Sequence, residues 1–328
     1  MTTNNNPIIS IIVPVFNSEA TIACCLESLI NQSMQDVEII IVNDGSVDNS
    51  EKICLKYQES YNNIRYIKQA NQGVSVARNS GLMNAKGEFI MFCDSDDCYH
   101  TDACECLFKK AVHSGADVVV GSVKKVFCDE KKIEVVKCES GSGKSDRILC
   151  LFQNYRLNQI WGNLYRADII LGNQIFFNKD IAIGEDLDWN CRVYSHTKKI
   201  EFIDDVVYNY LICNGETLSN KFHPNRYVDL DESFLSAEKL FAELGYGEHV
   251  MKIFYKREIE RLWGSLISAI RKSNKLSYKE RVKNVKLFRK TNCFRDSVKY
   301  KNCDKQNIIR ILLLKFRPIW LQTMVLSK

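Results

Sequence analysis

Residues 88–97 read EFIMFCDSDD, an apolar run from Phe89 to Cys93 that breaks into three carboxylates within four residues, Asp94, Asp96 and Asp97. A short run with no polar alternation is the pattern of a strand buried on both faces. Carboxylates crowded this closely repel unless a cation neutralises them, and an all-oxygen donor set suits Mg²⁺ or Mn²⁺. Such an ion would hold a diphosphate. A solvated acidic turn is the plainer reading of the same residues, because aspartate is common in turns.

Four further runs of the same kind flank this one, at residues 8–15 (IISIIVPV), 37–42 (VEIIIV), 64–67 (IRYI) and 117–121 (DVVVG). Helix-like stretches separate them. Ser18 is placed to cap a helix with Ile22, Leu26, Leu29 and Ile30 on its apolar face, and others cover about 48–60, 73–85 and 101–114. Repeated strand–helix alternation predicts an α/β fold, a Rossmann-like, mostly parallel sheet flanked by helices. Pro14-Val15-Phe16-Asn17 follows the first strand, Asn43-Asp44-Gly45-Ser46 the second, and the aspartate cluster the fourth. All three lie at carboxyl ends, where open α/β sheets bind ligands, so they are expected to converge on one crevice. Taken singly, each is also ordinary turn chemistry.

Within that crevice Asp44 is suited to accept a hydrogen bond from the imide of a uracil or thymine, with Phe16 stacking on the base. A turn or capping role fits Asp44 equally well when it stands alone. Arg78 and Asn79 lie on a helix beginning after Gly73, whose N-terminal amides suit a phosphate. Beyond residue 122 the alternation decays. A hairpin around Asp129-Glu130-Lys131-Lys132, a helix near 146–153, an irregular segment containing Trp161 and a helix starting at Glu185 are expected, then strands near 199–203 and 206–212. From about 226 the pattern is helical, with Val250, Ile253, Phe254, Leu262, Trp263, Leu266, Ile267 and Ile270 at helical spacing.

The composition narrows the class. A chain of 328 residues, 45% hydrophobic and 26% charged, with four prolines and fifteen glycines, has a sizeable core and little room for low complexity. No apolar run reaches the ~18 residues of a membrane span. No Lys or Arg precedes Lys52, so no secretory signal is expected, and the chain is expected in the cytoplasm or peripherally on the inner face of the cytoplasmic membrane. The fourteen cysteines lack paired spacing and read as reduced core thiols. Two apparent motifs fail on inspection: Gly141-Ser142-Gly143-Lys144-Ser145 imitates a phosphate loop but has Cys138 where a glycine is needed, and neither the five histidines nor Cys104-x-Cys106 has zinc spacing.

The order of the motifs is more specific than any one of them. Val-Pro-Val-Phe-Asn at 13–17, Val-Asn-Asp-Gly-Ser at 42–46, Asn71-Gln72-Gly73 leading to Ala77-Arg78-Asn79 and Gly81, Asp94-Ser95-Asp96-Asp97, and Gly184-Glu185-Asp186 closely resemble the family-two glycosyltransferases of the GT-A fold over about residues 1–220. That resemblance implies an inverting, metal-dependent transfer of a sugar from a nucleotide diphosphate sugar, UDP-linked, to an acceptor hydroxyl in surface polysaccharide synthesis. It implies that Asp44 holds the base, Asp94 the ribose side and Asp96 the Mn²⁺ or Mg²⁺. Pro14, Phe16, Asn17 and Arg78 would line the donor pocket, Asp186 would be the catalytic base with Glu185 its runner-up, and Trp161 an acceptor-side face. A helix-terminal charge explains Asp186 without catalysis, and an ordinary core role explains Trp161. The family's loop closing on the diphosphate departs here to Gly215-Glu216-Thr217-Leu218-Ser219, leaving Lys221 or His223 as substitutes for its arginine.

The implied organisation is a GT-A domain over 1–220, with a nucleotide half over about 1–121 and an acceptor half over about 122–220, followed by a helical basic region over 221–328. A sugar nucleotidyltransferase would need a glycine-rich, Arg- or Lys-bearing phosphate loop after the first strand. A catalytically silent sugar- or nucleotide-binding scaffold would have no need of Asp96 and Asp186. Residues 251–328 carry 21 Lys and Arg against 5 Asp and Glu, net +16, while the first 250 residues are net −11. Residues 308–326, with Arg310, Lys315 and Arg317 among apolar side chains and a break at Pro318, match an interfacial segment on an anionic membrane surface, the place of a lipid-linked glycan acceptor. A terminal helix docked on the core is the alternative, and nothing marks the region for nucleic acid.

Overall fold

The computed structural model describes residues 7–127, 132–137, 143–212, 226–270 and 277–299. The chain divides into two compact units, Met1–Lys179 with Trp189–Gly215, and Asp180–Asp188 with Glu216–Lys328.

The first unit is built on a nine-stranded sheet. Its first part is β1 (Ile9–Val15), α1 (Ile22–Ile30), β2 (Val37–Asp44), α2 (Ser50–Ser60), β3 (Ile64–Gln69), α3 (Val74–Asn84) and β4 (Phe89–Phe92). Then come β5 (Cys98–Tyr99), α4 (Ala103–Ser114), β6 (Val118–Phe127), β7 (Lys132–Val136), α5 (Lys144–Gln153), β8 (Asn163–Arg166), α6 (Ala167–Gly172), α7 (Glu185–His196) and β9 (Ile200–Ile212). The strand order is β3-β2-β1-β4-β8-β6-β9-β5, with β7 paired to β6. The four strands expected from the N-terminal alternation lie together and parallel. Every residue of β1 and β4 is buried, as runs without polar alternation require.

Three features depart from the expectation. The fifth run, β6, does not sit beside β4: the unexpected β8 lies between them and is antiparallel to both. The expected strands near 199–203 and 206–212 are one strand, β9, parallel to β6 with register shifts between Val120 and Ser122 and between Ser122 and Val123. Gly121 makes this possible, since a Cβ there would lie 2.4 Å from Val207 Cγ2. Ser18 does not cap α1. The cap is Thr21, without a side-chain bond, and Ser18 accepts from Thr21 and Ile22 through its carbonyl instead. The buried face of α1 is Ile22, Cys25, Leu26 and Leu29, with Ile30 only half-buried. The hairpin strands β6 and β7 pair as expected, whereas residues 129–131 of their turn and the loop at 141–142 lie outside the described residues.

From Arg226 onward the described part of the second unit is mainly helical: α8 (Arg226–Glu243), α9 (Glu248–Ile270), α10 (Tyr278–Phe288) and α11 (Asn292–Lys299). Phe234, Phe241, Phe254, Leu262, Leu266, Val285 and Phe288 form its core, with Phe254 ring centroids 5.4 Å from Phe234 and 4.7 Å from Phe241. Of the expected apolar stripe, Ile253 faces solvent. Ser277 and Glu280 form a capping box at the start of α10, and Asp231 accepts from the Asn292 and Cys293 amides that open α11, both at 2.8 Å. No helix among the described residues is long and apolar enough to cross a membrane. Residues 306–328, Gly215–Ser219, Lys221 and His223 lie outside the described residues.

Candidate active site

The loops that follow β1, β2 and β4 are joined by hydrogen bonds into one surface at the carboxyl edge of the sheet. Asn17, at φ 50°, accepts from the Val47 amide at 2.9 Å through Oδ1 and donates its own amide to Ser46 Oγ at 3.0 Å. The Ser18 amide donates to Ser50 Oγ at 2.7 Å, and the Glu19 amide to Asp48 Oδ2 at 3.0 Å. The third loop joins through the Ser18 and Ser95 hydroxyls, 2.7 Å apart. Pro14 is buried in β1 beyond the last register pair with β4, Ile12↔Phe92, where its missing N–H costs no ladder bond. Phe16 presents an exposed ring beside these loops, 47% accessible.

Asp44 ends β2 and is buried. Its Oδ1 accepts from Gln69 Nε2 at 2.8 Å and the Gln72 amide at 2.9 Å, and its Oδ2 accepts from the Gly73 amide at 2.8 Å. The amides of Gln72 and Gly73, just ahead of α3, are therefore occupied by this carboxylate. These bonds use three of the about four acceptor positions that a carboxylate offers. Asn43 holds the turn from the other side, accepting from the Ser46 amide at 2.9 Å and donating to the Tyr66 hydroxyl at 2.8 Å. Gly45, at φ 74°, must be glycine twice over, for the backbone and because a Cβ would lie 2.7 Å from the Asn71 amide nitrogen.

Arg78 is buried on α3 rather than open to a ligand. Its Nη2 lies 3.1 Å from Asp94 Oδ1 and its guanidinium stands over the Phe177 ring at 5.3 Å. It thus fixes Asp94, which remains partly exposed, and neutralises part of the cluster. Neighbouring Asn79 fastens the same helix to the Phe177 backbone in both directions, at 2.9 and 2.7 Å.

The three aspartates have different environments. Asp96 keeps an exposed side chain at the tip of the turn, yet the protein mass around it and the Asp94 carboxylate raise its carboxyl above the ordinary range. Asp97 is fully buried, and burial together with Asp94 and Asp96 pushes its carboxyl up to about 8. The Leu211 amide and the Tyr208 hydroxyl, each 2.8 Å away, oppose that shift by donating to Asp97. Tyr208 also accepts from the Asp94 amide at 3.2 Å. One buried phenol therefore ties both ends of the turn to β9. Sequence reasoning missed this residue, although its period-two place in an apolar strand marks it as inward-facing.

Trp161 is a packed residue rather than an open face. It is 5% accessible, stacked on Tyr208 at 4.9 Å and Tyr210 at 5.1 Å, with the Arg156 guanidinium over its ring at 5.5 Å. Asp186 and Glu185 open α7, both half-buried in a first turn that also holds Asp188 and that, unlike the rest of the helix, is counted with the second unit. Gly184 precedes them at φ 93°, where a Cβ would lie 2.8 Å from Ser233 Oγ. Asp188 accepts from Ser236 Oγ at 2.6 Å, pinning that turn to α8.

Among the described residues no group of three or more His, Cys, Asp or Glu is arranged to hold a metal ion alone. The donor set of Asp94 and Asp96 still fits Mg²⁺ or Mn²⁺, because such ions are commonly held by one or two carboxylates and completed by substrate phosphates and water. Burial and, after it, the Asp94 carboxylate raise Asp96, and a bound cation would oppose both.

Residues 10–171 match the family model for Glycosyl transferase family 2. The chain is 34% identical over 263 residues to Glycosyltransferase GlyA of Streptococcus pneumoniae serotype 4, covering 77% of this chain and 37% of GlyA. It is 31% identical over 245 residues to poly(ribitol-phosphate) beta-glucosyltransferase of Bacillus spizizenii, covering 70% of this chain and 37% of that protein. The chain spans well under two thirds of either relative. Among solved structures it resembles S. aureus TarS 1-349 in complex with UDP, with a TM-score of 0.67 at 20% identity, over 97% of this chain and 87% of that one. The same TarS segment in complex with UDP-GlcNAc gives a TM-score of 0.66. The shared fold is GT-A.

Proposed function

We propose, on the premise that the chain belongs to glycosyl transferase family 2 through its domain over residues 10–171, that it moves a sugar from a UDP-sugar to an acceptor hydroxyl with inversion, aided by Mn²⁺ or Mg²⁺. The observation that carries this reading is the hydrogen-bonded union of three strand-end loops presenting Asp44, Asp94 and Asp96 on one edge of the sheet. The UDP and UDP-GlcNAc complexes of TarS support the choice of donor.

In this reading the remaining acceptor position of Asp44 takes the uracil imide N–H, and Phe16 stacks on the base. Asp94, held by Arg78, receives the ribose side. Asp96 would hold a divalent ion, which would supply charge neutralisation to the diphosphate leaving group. Asp186 removes the proton of the acceptor hydroxyl, a role worth typically ~10²–10⁴ in rate. Trp161 acts on the acceptor half through the Tyr208 and Tyr210 rings it supports. We assign the nucleotide half to about 1–121 and the acceptor half to about 122–220.

The acceptor is a hydroxyl of a cell-surface glycan or lipid-linked glycan, a choice supported by the poly(ribitol-phosphate) glucosyltransferase among the relatives. The basic region, net +16 over 251–328, holds the enzyme at an anionic leaflet. The test is UDP release from UDP-glucose, UDP-galactose and UDP-GlcNAc with Mn²⁺, with and without polyol-phosphate and lipid-linked acceptors. Acceptor-stimulated release from one donor is expected; no release from any nucleotide sugar contradicts the proposal.

A further inference from the structure

Cys24 lies on the solvent face of α1, and Cys98 opens β5 immediately after Asp97. Their Sγ atoms are 3.3 Å apart, and both are free thiols. The elements carrying them are fastened together independently of the sulfurs. The Tyr99 amide donates to Ser28 Oγ at 3.1 Å, Gln32 Nε2 donates to the His100 carbonyl at 2.8 Å, and the Cys104 amide donates to Gln32 Oε1 at 3.0 Å. A disulfide needs its sulfurs about 2.05 Å apart. The fold therefore delivers these two within reach of bonding, on a backbone already braced in place.

A second close pair makes the contrast. Cys25 and Cys93 have Sγ atoms 3.6 Å apart, but both are buried in the core beneath the same turn. A dissolved oxidant meets Cys24 first.

We propose that Cys24 and Cys98 form a reversible dithiol–disulfide couple, a modification site on the flank of the carboxylate turn that reacts with two-electron oxidants of the peroxide class. The Cys24 thiolate attacks a peroxide oxygen: an S–O bond forms, the O–O bond breaks, and hydroxide leaves and takes up the thiol's proton as water. The Cys98 sulfur then attacks the Cys24 sulfur; the S–S bond forms, the S–O bond breaks, and hydroxide departs with the Cys98 proton as a second water. Two thiols are oxidised by two electrons in all and one hydrogen peroxide is reduced to two waters. A small dithiol reverses the change by exchange. In the oxidised state the residue following Asp97 is bonded to α1.

The test uses the full folded chain treated with one equivalent of hydrogen peroxide, blocked with N-ethylmaleimide, digested and analysed by mass spectrometry. The expected product is a Cys24–Cys98 linked peptide, lost on treatment with dithiothreitol. Cys98→Ser is expected to yield no link and to leave a Cys24 sulfenic acid that dimedone traps. Cys24→Ser, at an exposed position, provides the same loss of the link should Cys98→Ser fail to fold. Recovery of both cysteines as maleimide adducts from oxidised wild type overturns the proposal, and so does a disulfide joining Cys24 to any other cysteine. The readout is at sulfur and does not depend on sugar transfer.

Discussion

Removing one hydroxyl from the buried tie at Tyr208 tests whether the carboxylate turn is held from β9. In Tyr208→Phe the Asp94 amide loses its acceptor at 3.2 Å and Asp97 loses a donor at 2.8 Å. Tyr208 and Asp97 are both 0% accessible, so water replaces neither bond cheaply. At pH 7 Asp97, with its carboxyl pushed up to about 8, is mostly protonated, and both lost bonds are of the neutral kind. At ~0.5–1.5 kcal/mol each, the loss is about 2 kcal/mol. At pH 9 Asp97 is ionised and its bond to the phenol is charge-assisted, worth ~1.5–3 kcal/mol, so the total rises to about 3–4 kcal/mol. Urea denaturation at both pH values in the presence of a chelator measures the difference. A loss below about 0.5 kcal/mol at both, or a smaller loss at pH 9 than at pH 7, would refute the tie.

Three further outcomes are expected. Asp97 has a folded value of about 8 against an ordinary 3.8, so it favours the folded state fully below 3.8 and loses that contribution as pH rises toward 8. Between pH 5 and 7 this one group costs the metal-free protein roughly 3 kcal/mol, at about 1.4 kcal/mol per pH unit; Asp97→Asn should flatten that slope in urea titrations, and an unchanged slope contradicts the assignment. Asp44→Asn puts an amide group against the Gly73 N–H or takes an acceptor from Gln69 and Gln72, so UDP affinity by calorimetry should weaken by about tenfold or more while the fold persists; wild-type affinity would remove Asp44 from the base site. Asp186→Asn keeps shape without a titrating base, so transfer should drop by ~10²-fold or more with UDP binding retained; retained turnover shifts the role to Glu185.

The parallel half of the sheet was legible because β1, β2 and β4 are buried on both faces and show as unbroken apolar runs. β8 was not: it is four residues, Asn163–Arg166, following Gly162 at φ 69°, and it owes its existence to partners more than forty positions away. The two strands expected near 199–203 and 206–212 are one strand interrupted by a bulge. From Val120↔Phe202 to Ser122↔Val206 β9 advances four residues against two on β6, so the break is a bulge in β9, which continues beyond it as the same strand. In the site, Asp44, Asp94 and Asp96 were readable from their places at strand ends. The burial of Arg78 against Asp94 was not, since an arginine on a helix carries no mark of which neighbour will cover it. Nor was the bond between Tyr208 and Asp97, which joins residues 111 positions apart.

The most direct measurement is calorimetric titration of UDP into the wild-type chain and into Asp96→Ala, each with and without Mn²⁺. Wild type is expected to bind UDP more tightly with Mn²⁺ than without, and Asp96→Ala to bind equally weakly under both conditions while melting as a folded protein. UDP binding that ignores Mn²⁺ in the wild type, or that keeps its full Mn²⁺ dependence in Asp96→Ala, would contradict a nucleotide diphosphate site built on the Asp94–Asp96 turn.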